Sequence, residues 1–195
     1  MKHFLLFSIT KYFLFFVMLI WMAGCSSVAP LVNRTTDAQQ SNFVVWTADL
    51  RSDEQKNSYN IVLKTQDKSF SGICILKKNG GEWRGTLINE MGAKAFDFIV
   101  TDKKCELLNV ISMMNKWYIK KTVASDLYFL FNADNAKAPF QKYLERFEQD
   151  GIKVVNYQKK QIAVKSDAIL LINRRRNLQY ELKKILETES DKTIM

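Results

Sequence analysis

The chain has 195 residues, with 29 Lys plus Arg against 20 Asp plus Glu for a formal charge of +9, and it is 47% hydrophobic and 12% aromatic. That composition excludes a disordered chain and fits one domain large enough to bury a core without disulfide support. The one histidine, His3, falls in an apolar leader; removing that leader excludes imidazole-based hydrolases, His-ligated metal sites and imidazole proton relays.

Residues 1–24 contain no acid and carry Lys2 and Lys11, so their loss takes the charge from +9 to +7. Tyr12 to Ala23 form an apolar run, and Met22-Ala23-Gly24-Cys25 places small residues ahead of a cysteine. This resembles a bacterial lipobox, with Met22 in place of the commoner Leu. The resemblance implies a signal peptide over 1–24 and an acylated Cys25 as residue one of the mature protein. An uncleaved anchor would put Lys11 in mid-membrane, at a cost of about 2.5 to 3.5 kcal/mol. By similarity to enterobacterial sorting, Ser26 in place of Asp points to the outer membrane, and the lack of a following acidic cluster points to its periplasmic face. Residues 25–42 are polar and read as the lipidated cysteine and a tether.

From residue 43 the apolar period is mostly two, which predicts strands at Tyr59 to Thr65, Phe70 to Lys77, Trp83 to Glu90, Lys94 to Thr101 and Lys104 to Ile111. Turn residues at each break make these a five-stranded meander. Phe70, Gly72, Cys74 and Leu76 share one face while Ile73 and Ile75 share the other, so a cover or a cavity is expected against the second face. Two helices are predicted next. The first is capped by Asn115, runs to Phe131 and carries Ile119, Val123, Leu127 and Leu130 on one stripe; the second runs from Pro139 to Gly151 with Phe140, Tyr143, Leu144 and Phe147 on a stripe. Strands resume at Ile152 to Tyr157, Gln161 to Lys165, Ala168 to Asn173 and Leu178 to Leu182, and 187–195 reads as a disordered tail. The class is α+β, with one domain over 43–186.

A lipobox, a tether, antiparallel strands interrupted by helices, and the passage Phe70-x-Gly72…Trp83-Arg84-x-x-Leu87-x-Asn89-x-Met91-Gly92…Phe96 together resemble the LolA/LolB superfamily, specifically the LolB-type outer-membrane lipoproteins. The similarity runs over about 59–185, with Glu90 where the family usually has proline. It implies a half-open antiparallel β-barrel of about 9 to 10 strands, closed by two helices inserted after the first meander, around an apolar cavity for acyl chains. Phe70, Leu76, Leu87, Phe96 and Phe98 are the expected cavity lining. The resemblance also places Met91, beside Gly92, at the apolar tip of a membrane-inserting loop; Gly92 permits a tight turn, and a Met there suits an irregular apolar surrounding. The alternative is that Met91 packs against a neighbouring helix or the tail.

Other candidates read as structural. Cys74 and Cys105 fall on the second and fifth strands, about 14 Å apart at 4.8 Å per strand spacing, too far for a disulfide unless the sheet curls enough to bring them together; free thiols are expected. The acid pairs Glu82/Glu90 and Asp97/Glu106 lack a sugar platform and read as surface charge. Arg174, Arg175 and Arg176, with Lys159-Lys160 and Lys183-Lys184, read as a solvated turn and a protected strand edge, or as contacts to anionic lipid head groups.

The expected function is therefore that of a lipid-anchored, monomeric periplasmic protein. It would hold membrane lipid through acylated Cys25 and bind an acyl chain or another lipoprotein, with no catalytic residue, no cofactor, no metal and no nucleic acid. The rival expectation is a structural or accessory lipoprotein with a filled core, docking onto an envelope assembly. A cavity of about 300 Å³ or more separates the two.

Overall fold

The computed structural model describes residues 39–40, 43–46, 56–166 and 168–185. The leader, Cys25, most of the tether and the tail over 187–195 lie outside the described residues. The first meander consists of β2 (Lys56–Lys64), β3 (Ser69–Asn79), β4 (Glu82–Asn89), β5 (Lys94–Val100) and β6 (Cys105–Leu108), and a single α-helix, α1 (Trp117–Asn132), follows it. A second meander, β7 (Glu145–Gln149), β8 (Ile152–Tyr157), β9 (Lys160–Lys165), β10 (Ala168–Asn173) and β11 (Leu178–Lys184), completes the sheet, with a two-residue β1 (Gln39–Gln40) on the edge of β7. All pairings are antiparallel, in the order β1-β7-β8-β9-β10-β11-β2-β3-β4-β5-β6, so the two meanders join where β11 meets β2 and the sheet stays open at β1 and β6.

The nine strands predicted from period and turn chemistry are all present, but the second helix is not. A 3₁₀ turn, Gln141–Tyr143, replaces its start, and β7 replaces the rest. Asp150 and Gly151 both take positive φ, 53° and 72°, between the paired residues Gln149 and Ile152. That is a two-residue hairpin turn of the primed kind, whose twist matches the strands it joins. Phe140, Tyr143, Leu144 and Phe147 therefore do not share a helical stripe; Phe147 instead pairs with Val154 across the hairpin. The first helix begins after Lys116 without a side-chain cap, since Asn115 closes a preceding 3₁₀ turn, Ser112–Met114.

Register carries one apolar face across the sheet. Leu171 lies opposite Tyr180, Tyr180 opposite Leu63 and Leu63 opposite Phe70, while Cys74 lies opposite Leu87 and Leu87 opposite Phe96. These residues pack with Val123, Leu127 and Leu130 of α1. The helix touches β5, β6 and β10. Strands β5 and β10 would lie about 24 Å apart in a flat sheet, yet Asp126 accepts from Asn173 of β10 and Tyr128, two residues on, donates to the Asp102 carbonyl just past β5, so the sheet curls around the helix. Gly85 serves that packing: a Cβ there would meet the Phe98 ring at 2.2 Å.

The second face does not follow expectation in the first meander, where Ile73 is exposed and Ile75 and Ile99 are half-buried. Its buried stretch lies instead on the second meander, at Phe147, Val154, Ala163 and Ile172.

Candidate functional site

Two large clefts lie along α1. At the C-terminal end of the helix, a cleft of about 870 Å³ has Trp46, Trp83 and Phe131 in its wall beside Lys78, Asp102, Lys103 and Asp134. Trp46 fills the interior there. Its ring stacks on Phe131 at 4.9 Å, its indole N–H donates to the Leu130 carbonyl at 3.0 Å, and the backbone N–H groups of Val45 and Trp46 donate to the Asp134 carboxylate at 2.9 Å each. Arg146 braces Asp134 at 3.6 Å and donates to the carbonyls of Phe43 and Ala133.

The other cleft, of about 750 Å³, opens where α1 begins. Leu63, Phe70, Met114, Ile119, Val123 and Leu178 form its apolar wall, with Lys68, Lys116 and Arg176 around it. Leu63 and Val123 belong to the main core, so the cleft leads inward from the surface. Its rim is assembled from distant segments. The Ser71 hydroxyl donates to Glu90, which ties the β4–β5 loop to the start of β3, and the Ile111 N–H donates to the Ala95 carbonyl at 2.8 Å, which brings the 3₁₀ turn alongside β5.

Met91, in the β4–β5 loop, is 85% exposed and does not line the cleft. The Asn89 side chain shapes its loop by accepting the N–H groups of Met91 at 3.1 Å and Ala93 at 2.7 Å, and Gly92 takes φ 79°. Of the expected cavity lining, Phe70 faces the cleft, whereas Leu76, Leu87, Phe96 and Phe98 are buried in the core and line neither cleft. Arg174, Arg175 and Arg176 are exposed in the β10–β11 turn, and Arg176 reaches the cleft. The edge-protection reading of this run is corrected: β11 pairs with both β10 and β2 and is an interior strand.

Lys160, grouped from sequence with the solvated bases, has a different role. Its ammonium lies 2.7 Å from Asp126, a fully buried carboxylate on α1 that also accepts the Asn173 amide at 2.8 Å and the Tyr180 hydroxyl at 3.1 Å. Burial, and then the Asp126 charge, hold the Tyr180 hydroxyl well above its ordinary range. Lys160 also donates to the Ser125 hydroxyl at 2.8 Å. An ammonium that is ion-paired and donating has no lone pair for the serine proton, so this pair is not an activated nucleophile. Sequence reasoning passed over the network, although an acid at 126 between Val123 and Leu130 on an apolar stripe was a readable signal.

Cys74 and Cys105 are free, and burial pushes both thiols up to about 12. Each paired-acid candidate has its own partner: Arg84 for Glu82, Ser71 for Glu90, Lys94 and Thr86 for Asp97, and Lys104 for Glu106. Among the described residues no three His, Cys, Asp or Glu side chains gather where they could hold a metal ion. No family model matches the sequence, and no curated protein matches it.

Proposed function

We propose that this chain is a lipid-anchored periplasmic protein of the bacterial outer membrane that accepts an acyl chain, free or as the lipidated end of another lipoprotein, without catalysis. The observation that carries the reading is the apolar cleft of about 750 Å³ at the start of α1, within the size range of small-molecule sites. An open sheet curled around one helix fits a half-open barrel of the LolA/LolB kind, with Trp46 stopping one end and the cleft open at the other. Transfer in such a protein runs on affinity, each buried methylene contributing about 0.8 kcal/mol. The rival accessory role draws on the filled core at Leu76, Leu87, Phe96 and Phe98.

The test uses the mature chain carrying Cys25→Ser, which removes the acyl anchor, and a fluorescent fatty acid as probe. Saturable binding, competed by a triacylated lipopeptide and weakened about tenfold or more by Ile119→Arg in the cleft wall, is the expected result. Absence of binding, or binding indifferent to Ile119→Arg, would favour the accessory role.

A further inference from the structure

Three of the eight exposed large apolar residues of the described chain gather on one short segment. Met113 is 71% exposed, Trp117 73% and Tyr118 45%, all within six residues; Met113 and Tyr118 line the cleft, and the Trp117 ring stands edge-on to Tyr118 at 6.2 Å. Side chains of this size left to water on one short segment point to a surface that covers them. The local charge says which. From Ile111 to Ser125 the chain has no acid and carries Lys116, Lys120 and Lys121. The first turn of α1 is where acids are normally favoured by the helix dipole; here it holds none, and Lys116 stands at the cap. Lys68 and Arg176 extend the same sign around the mouth, and Arg174 and Arg175 are exposed in the same turn as Arg176. A concentration of positive charge at a positive helix end is locally unfavourable, and an anionic surface offsets it. Trp and Tyr with a basic surround are the side chains that settle at the head-group level of a bilayer.

We infer that Met113, Trp117 and Tyr118 form a membrane-contacting wedge, held on anionic lipid by the surrounding Lys and Arg side chains, that sets the mouth of the apolar cleft against the bilayer. This rests on the acyl-chain reading for its purpose and stands apart from it in its test. Acylated Cys25 would keep the protein near a membrane; the wedge decides which side of the domain faces it.

The mature chain supplies its own reporter, because Trp46 and Trp83 are buried and Trp117 is exposed. The Cys25→Ser protein is mixed with vesicles of phosphatidylglycerol and phosphatidylethanolamine, and separately with phosphatidylcholine vesicles. Sedimentation should show binding about tenfold tighter to the anionic vesicles, and lipids brominated on their acyl chains should quench Trp117 emission. Trp117→Glu, outside the cleft lining, should weaken vesicle binding about tenfold or more while fatty-acid probe binding stays unchanged. Lys120→Glu with Lys121→Glu should remove the preference for anionic lipid and leave Trp117 in place as reporter. Met91→Glu tests the β4–β5 loop separately and should leave Trp117 quenched. Unquenched Trp117, or wedge variants that sediment like the parent, would overturn the inference even if the cleft binds acyl chains. Quenching without fatty-acid binding would keep the wedge and overturn the cleft reading.

Discussion

Asp126 is fully buried, and its charge is met by neighbours: Lys160 at 2.7 Å, both Asn173 contacts at 2.8 and 3.1 Å, and the Tyr180 hydroxyl at 3.1 Å. Because the carboxylate sits on α1 and its partners on β9, β10 and β11, these bonds pin the helix to the curled sheet. Taking the carboxylate away leaves the Lys160 ammonium without its counter-charge and the buried Asn173 amide and Tyr180 hydroxyl without their acceptor. Asp126→Ala should therefore destabilise the protein by about 3 kcal/mol or more, whereas Asp126→Leu with Lys160→Met should recover most of the loss, since apolar replacement of a whole buried pair is often near neutral. Urea unfolding of the two proteins measures the difference; equal losses in both would mean that the pair itself, and not the orphaned charge, supplies the stability. At this scale Met91 and the Arg174 to Arg176 turn were readable from sequence because turn chemistry alone predicts exposure. Trp117 and Tyr118 were not, because nothing in the helical stripe marks that the first turn of α1 runs beyond the core.

The strands were legible as elements because period-two alternation and Gly, Asn or Asp at the breaks act together. The helix from Pro139 failed on a conflict between two patterns. Phe140, Tyr143, Leu144 and Phe147 have helical spacing, while Asp150-Gly151 between alternating residues is a hairpin signature; the hairpin prevails because β8 offers β7 a paired, buried neighbour in Val154. Strand β1 could not be read at all, being two glutamines assigned only by pairing to Glu148 and Phe147. The hairpin depends on Gly151 at φ 72°. Gly151→Val should cost about 1 to 2 kcal/mol, since a β-branched residue is strained at that φ, while Gly151→Asn should cost much less. Melting temperatures of the two variants rank them, and a valine variant as stable as the parent would mean the turn can change type without penalty.

At the scale of the whole molecule, each meander was visible in outline, but their joining was not. The cleft is lined from β2, β3, α1, β11 and the turns between them, and only the β11 to β2 pairing sets these in a ring. No local pattern announces that pairing, since Ile61 and Leu182 face each other from roughly 120 residues apart. The hairpins, by contrast, close over two to five residues in most cases. The same disparity makes the seam a late event on the folding path: ring closure across so long a span sacrifices chain entropy before any contact rewards it, so short hairpins assemble first and the halves zip together afterwards. Leu182→Ala, which removes about 2 to 5 kcal/mol of buried side chain, should then appear almost wholly as faster unfolding, with refolding nearly unchanged. Stopped-flow measurement in both directions decides it: a refolding rate that drops in step with stability would place the seam in the nucleus. A seam that zips last is also the barrier that keeps the finished sheet shut, so the lifetime of the folded protein is set there, far from the turns that form quickly.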